Sequence, residues 1–370
     1  MASIYIHIPF CKSKCTYCDF ASYPGEMGKG ELYFACLYKE MRAKLSNLKD
    51  KTFTSIYFGG GTPSYVSPKY IYGAMKLIYE ECKVSYSAEV TLEVNPGTIT
   101  SDKLKVYKNA GINRFSVGLQ SANDKTLDSI NRIHDKQGFI DCMNLLKDYN
   151  TSVDVMLGLP GEDFNDVKNT IDLATSFKNV NHISLYTLKA EEGTPMFTKY
   201  LNGELLSDDE LAELYEKSVE YLKSLGFNRY EVSNFCKNDK YSRHNFNYWK
   251  RGEYIGFGIG ASSFIDNRRF TNTENIDKYC KCILSNSVAE IYSEEIEGFD
   301  RNAEYAMLKL RTAEGVIFSE YKEMFGSDFL LDFEDAINKN KDYLEITNES
   351  LKIKDKYLYV QNSILIDFIN

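Results

Sequence analysis

Ile4-Tyr-Ile-His-Ile-Pro-Phe-Cys-Lys-Ser-Lys-Cys-Thr-Tyr-Cys-Asp-Phe20 runs from an alternating apolar strand straight into three cysteines spaced C-x3-C-x2-C. The alternation marks a strand, and a loop of cysteines at its end puts metal chemistry at a strand terminus. Cys11, Cys15 and Cys18 are one thiolate short of an ordinary four-cysteine iron–sulfur cluster. Held at three corners, a [4Fe–4S] cube keeps one iron open to a ligand from outside the protein, which is the chemical entry to S-adenosylmethionine (SAM). Zinc, a disulfide or plain core packing are the competing roles. Zinc calls for four ligands in paired knuckles, and no second C-x2-C follows. Disulfide frameworks go with signal peptides, and the strand begins at once after Met1. Cys36, Cys82, Cys142, Cys236, Cys280 and Cys282 are scattered and suit buried small hydrophobes.

Outward from this segment, short β-rich runs alternate with amphipathic stretches. Ser3–His7, Ser55–Phe58, Glu89–Val94, Arg114–Gly118, Val153–Leu157 and His182–Tyr186 read as strands. Glu31–Leu48, Pro68–Cys82, Ser101–Ala110, Lys136–Tyr149 and Asp163–Ser176 carry helical spacing. Such alternation predicts an α/β fold with a parallel sheet, and in barrel-like folds the C-terminal strand ends carry the site. Ser101-Asp102 and Ser207-Asp-Asp-Glu210 are expected to cap helices. Beyond residue 285 the pattern changes to helices and a hairpin, with strands expected at Leu344–Thr347, Leu351–Lys354 and Tyr357–Val360. Residues 1–285 and 295–370 are therefore expected to form two domains.

The chain has 370 residues, 43% hydrophobic and 26% charged, which describes a globular protein with a substantial core. A net charge of −9 argues against a nucleic-acid partner. No apolar run reaches the about 18 residues of a membrane-spanning helix, and no targeting segment precedes the first strand. A cytoplasmic location is expected, with room for peripheral contact at a membrane.

Ile56-Tyr-Phe-Gly-Gly-Gly-Thr-Pro-Ser64 is a strand running into three glycines. Gly60 and Gly61 are expected to let the backbone approach a ligand and present N–H groups to a carboxylate or phosphate, though one or two glycines also serve an ordinary tight turn. Glu93, Gln120, Arg132 and Asp154 stand at or near successive strand ends and are expected to line one mouth. A carboxylate such as Glu93 can take ribose hydroxyls or an amino group. His7, four residues before Cys11, is placed to face the cysteine loop, whereas His134 and His182 read as structural. His244 lies in Ser242-Arg-His-Asn-Phe-Asn-Tyr-Trp249 with the single tryptophan. An imidazole among aromatic planes suits an axial ligand to heme iron, and equally suits a packed loop.

Taken in order, Tyr5-Ile-His-Ile-Pro-Phe-Cys11, Gly59-Gly-Gly-Thr-Pro-Ser64, Glu93-Val-Asn-Pro96, Ser116-Val-Gly-Leu-Gln-Ser121, Asn131-Arg-Ile-His134, Asp154-Val-Met-Leu-Gly-Leu-Pro-Gly161 and His244-Asn-Phe-Asn-Tyr-Trp249 resemble the radical-SAM superfamily. The branch resembled holds the oxygen-independent coproporphyrinogen III oxidase and the HemW-type heme chaperones. The resemblance implies an incomplete (β/α)6 barrel followed by a smaller α+β C-terminal domain of the oxidase type. It implies that Cys11, Cys15 and Cys18 hold a [4Fe–4S] cluster. Tyr5, Tyr17, Gly60, Gly61, Thr62 and Glu93 would contact SAM, and Gln120, Arg132 and Asp154 match positions of a second SAM in the oxidase. No catalytic residue is assigned. The oxidase pattern carries a fourth cysteine two residues after the third, where this chain has Phe20. Ten residues precede Cys11, against a longer extension in the oxidase. Both features, with the His244–Trp249 segment, favour the chaperone group. Heme would then be a bound ligand, with His244 and Trp249 as its contacts, and acceptor hemoproteins such as respiratory-chain enzymes would be partners. Oxidative decarboxylation of coproporphyrinogen III is the alternative activity.

Overall fold

A computed structural model describes residues 2–369. Six strands, β1 (Ala2–Ile8), β2 (Thr52–Gly60), β3 (Lys83–Val94), β4 (Arg114–Gln120), β5 (Asn150–Leu157) and β6 (Val180–Thr187), pair in parallel, each beside its successor. Helices α1 (Gly30–Leu45), α2 (Pro68–Glu81), α3 (Ser101–Asn109), α4 (Lys136–Leu145) and α5 (Phe164–Thr175) fill the crossovers. Unbroken sequential order is the winding of a barrel, in contrast to the order reversal of a doubly wound sheet. The chain has the incomplete α/β barrel expected from its sequence.

Side-chain alternation along these strands explains where the core lies. Ile4, Ile6 and Ile8, Ile56 and Phe58, Leu92 and Val94, Phe115 and Val117, Val153 and Val155, and Ile183 and Leu185 join one buried cluster with the helices. The opposite face carries Tyr57, Glu93, Arg114, Ser116, Gln120, Ser152, Asp154, His182, Ser184 and Tyr186, which line a common cavity. An eight-stranded barrel closes on a packed interior of branched apolar side chains. Here the apolar face points outward to the helices and the interior is polar, so it forms a site instead of a core.

The sheet continues past both barrel edges to twelve strands. Beyond β6 lie Asn234–Cys236 and Asn228–Arg229. Beyond β1 lie Glu253–Phe257, parallel to it, and then an antiparallel meander ending at the edge strand Glu290–Glu295. The segment after residue 298 spans the remaining gap. Glu304, on helix Asp300–Lys309, pairs with Arg251 Nε at 2.6 Å and with Arg269 on one side. On the other side, Thr312 bridges Glu231 and the Ala313 N–H donates to the Tyr230 carbonyl at 3.0 Å. Tyr305, Leu310, Tyr321, Phe329, Phe333, Leu351 and Phe368 gather in a separate apolar cluster.

Two local expectations change. Thr100, one residue earlier than expected, caps α3 by accepting from the Lys103 N–H at 3.3 Å. Tyr357–Val360 is not a strand, and Asp355–Tyr357 forms a turn of 3-10 helix. The Leu344–Ile346 and Ser350–Ile353 hairpin does form, but the free side of Ser350–Ile353 is taken by Val316–Ile317. The Ser207 capping box is present, with the Ser207 N–H donating to Glu210 at 2.9 Å.

Candidate functional site

Cys11 ends a two-residue strand, Phe10–Cys11, that pairs with Tyr23–Pro24 and so fixes both ends of the cysteine loop. The loop is clamped further in. The Thr16 N–H donates to the Ile130 carbonyl at 3.2 Å, the Met196 N–H to the Thr16 carbonyl at 3.0 Å, and Asn131 Nδ2 to the Lys14 carbonyl at 2.7 Å. Cys11, Cys15 and Cys18 line the mouth of the interior cavity, whose volume is about 370 Å³. All nine cysteines are unpaired, which removes the disulfide alternative in this state. Among the described residues no set of three or more His, Cys, Asp or Glu side chains converges on a single metal ion. Burial pushes the Cys11 thiol up to about 11 and raises Cys18 as well. Such thiols ligate only when a metal centre draws off their protons.

Three thiols with no fourth protein ligand fit a [4Fe–4S] cube with one iron left for SAM, and the backbone around them leaves no room for larger side chains. A Cβ on Gly61 would lie 2.8 Å from the Ile8 carbonyl oxygen and 3.0 Å from Cys11 Sγ. Gly60 has φ +107°, and a Cβ there would lie 2.5 Å from the His7 ring. The glycines serve close approach. Their N–H groups go to acceptors within the protein and not to a ligand: Gly60 donates to the Glu93 carboxyl at 3.2 Å, Gly61 to the Ile8 carbonyl at 2.8 Å, and the following Thr62 to the Phe10 carbonyl at 3.0 Å. The carbonyls after β1 take donors that a free loop would have presented to a ligand.

Glu93 is held by the Tyr57 hydroxyl at 2.8 Å and by Gly60. Burial lifts its carboxyl to about 7, with the Asp154 charge adding to the rise and the two donors opposing it. Asp154 is also raised by burial, and the Ser116 hydroxyl donates to it at 3.3 Å. Gln120 is buried at φ +68°, a conformation rare outside glycine and common at ligand sites. Arg132 turns its guanidinium onto the protein: Cys15 Sγ at 3.7 Å, Asn95 Oδ1 at 2.5 Å and the Gly118 carbonyl at 2.6 Å. Tyr17 and Thr62 line the cavity, whereas Tyr5 stands behind it, stacked on Tyr57 and hydrogen-bonded to His7. His7 in turn bonds the Ala21 carbonyl at 2.8 Å.

His244, which the resemblance offers as a heme contact, is enclosed by protein. It is 1% exposed, on helix Arg243–Trp249, which lies under the barrel floor against the early residues of β2. Nδ1 shares a hydrogen bond with Ser55 Oγ at 3.0 Å and Nε2 with the Tyr248 hydroxyl at 2.8 Å. Burial, reinforced by Arg114, lowers its pKa to about 3, so the ring is neutral. Both nitrogens are engaged, and none is free for iron in this arrangement. Trp249 is not part of the cavity wall, although Asn245 is. Arg114, Ser116, Ser152, Ser184, Tyr57 and Tyr186 also line the cavity and were not singled out from sequence; His182, expected to be structural, is there too. Their common signal is a polar residue at every second strand position.

The Radical SAM superfamily profile matches residues 5–174. The heme chaperone HemW of Buchnera aphidicola subsp. Schizaphis graminum is 37% identical over 262 residues, which are 70% of this chain and 69% of that one. The heme chaperone HemW of Lactococcus lactis subsp. lactis is 30% identical over 374 residues, covering 99% of this chain and 97% of that one. The coproporphyrinogen III oxidase HemN of Escherichia coli superposes with a TM-score of 0.87 at 19% identity, over 100% of this chain and 90% of that chain. The last likeness speaks for the fold. With three thiols at the mouth of a half-barrel lined by polar side chains, and curated relatives at 30–37% identity over 70–99% of its length, the chain belongs to the radical SAM superfamily and, within it, to the heme chaperone HemW family.

Proposed function

We propose that this chain binds heme and delivers it to acceptor hemoproteins, respiratory-chain enzymes among them, on a scaffold that also holds a [4Fe–4S] cluster and SAM. The observation that carries this is similarity to a heme chaperone HemW across 99% of the chain. Phe20, in the place of the oxidase's fourth cysteine, supports it and is 63% exposed at the cavity mouth.

Cys11, Cys15 and Cys18 would hold the cluster. Gly60 and Gly61 give close access, and Tyr17, Thr62, Glu93, Gln120 and Asp154 supply polar wall for SAM. Arg132 is part of the same wall, and Tyr5 acts from behind it. SAM on the open iron of a reduced cluster supplies radical chemistry. Glu93 is poised to accept from an amino or hydroxyl group, and its proton is gained or lost near neutrality. A cavity of about 370 Å³ is at the small end of ligand pockets, which run from roughly 300 to 1,000 Å³. Its volume suits one nucleoside-sized ligand, so the larger heme plane sits outside it. Residues 1–285 carry the site, and 295–370 act as the unit that closes the barrel. No helix among the described residues is long and apolar enough to cross a membrane, and the proposed workplace is the cytoplasm or its membrane face.

Anaerobic reconstitution followed by heme titration, with and without SAM, tests the reading. A saturable Soret shift and transfer to an apo-hemoprotein are expected. No shift, or conversion of coproporphyrinogen III on the same sample, overturns it.

A further inference from the structure

A chain of side chains runs beneath the cysteine loop from one thiol to another. Arg132 carries only donors, and its Nη2 sits 2.5 Å from Asn95 Oδ1. That contact orients the amide, so Nδ2 must face Thr62 Oγ1, at 3.1 Å. A hydroxyl has a single proton. Because Thr62 accepts from Asn95, it turns that proton away, onto Cys11 Sγ at 3.4 Å. The other terminal nitrogen of Arg132 donates to Cys15 Sγ at 3.7 Å. The Gly118 carbonyl also takes Arg132 Nη2, at 2.6 Å, so Asn95 shares the hold on Arg132 and alone directs the Thr62 hydroxyl.

We propose that Asn95 is a positioning residue of the cluster site: its amide fixes the direction of the Thr62 hydroxyl, giving Cys11 a hydrogen-bond donor, and it helps hold Arg132 on Cys15. This rests on Cys11, Cys15 and Cys18 being cluster ligands. Donors to a ligating sulfur draw charge from it, favour the reduced cluster and keep the ligand oriented. Cys18 lies outside this chain of contacts, so the proposal concerns Cys11 and Cys15.

Asn95→Asp separates the two arms. A carboxylate still accepts from Arg132, but it cannot donate to Thr62. The hydroxyl proton swings to the carboxylate and Cys11 loses its donor. The new charge also shifts the potential, and does so whether or not a hydroxyl is present. A double-mutant cycle with Thr62→Val divides the two effects.

The full chain, with cluster assembled anaerobically, is titrated by EPR for its midpoint potential and exposed to a chelator for iron release. Asn95→Asp should move the midpoint to more negative values and speed iron release on the order of ten-fold. In the Thr62→Val background the same substitution should produce a smaller shift. Equal shifts in both backgrounds overturn the proposal, because charge alone then accounts for them. If Asn95→Asp assembles no cluster, Thr62→Val and Thr62→Ser read the same arm: valine shifted with serine at the parent value supports it, and valine indistinguishable from the parent refutes it. A parent chain that takes up no iron refutes the cysteine assignment and this proposal together, while a loaded parent matched by its variants refutes this proposal alone.

Discussion

Replacing Glu93 with glutamine should flatten the dependence of stability on pH. The carboxyl is enclosed beside Asp154, and burial raises it from an ordinary 4.5 to about 7. Between those values the folded chain keeps a proton that the unfolded chain has released. The unfolded state binds fewer protons there, so stability falls as pH rises. At about 1.4 kcal/mol per pH unit, the interval from 4.5 to about 7 is worth about 3 kcal/mol, of which about 2.5 is lost between pH 5 and pH 8. Glutamine has no such proton. Its amide can turn Oε1 to the Gly60 N–H and Nε2 to the Tyr57 oxygen, so whatever the exchange costs is the same at every pH. Urea unfolding of parent and Glu93→Gln at about pH 5 and about pH 8 measures the difference, with both chains in the same cluster-loading state. Glu162 and Glu231 are also raised by burial, to about 8 and about 7, and they cancel because both chains carry them. A variant that loses stability between the two pH values as steeply as the parent would show that Glu93 is ionised throughout.

Three further substitutions probe the frame of the site. Gly60→Ala places a Cβ 2.5 Å from the His7 ring at φ +107° and should lower stability by about 3 kcal/mol, seen as an earlier urea midpoint. His244→Ala strips partners from buried Ser55 and from Tyr248 and should cost about 2–4 kcal/mol, with heme titration of the folded fraction unchanged; weakened heme binding without lost stability would return the imidazole to the role expected from sequence. Glu304→Gln leaves buried Arg251 without its carboxylate and Arg269 with Glu294 alone, and should cost about 3 kcal/mol in thermal or urea melts. An unchanged melt would mean that the helix is not held by these pairs.

The six barrel strands and their five helices were legible because each strand is a short β-branched run and each helix has an apolar face. The interior was legible only in part. Glu93 and Gln120 announce themselves at strand ends, whereas Arg114 opens its strand and Ser116, Ser152, Asp154 and His182 are single polar residues within theirs, and only the sequential pairing aligns them into one wall. The His244 segment was visible as a motif, but its burial was not, since that depends on the floor formed by β2 and β3 far upstream. The glycine amides were misread for a related reason: their acceptors, the Glu93 carboxyl for Gly60 and the Ile8 carbonyl for Gly61, belong to other strands.

The barrel wall is not continuous, and its seam is stitched by the stretch from Glu304 to Ala313. A sheet held by strand pairing is stiff along its hydrogen bonds, so the easiest place for the half-barrel to widen is this join. The bore of the chamber is therefore governed by residues more than a hundred positions downstream of the last barrel strand, none of which touches its contents. Damage to that closing segment would be felt first as slack around the ligand, with the ligand's own contacts intact.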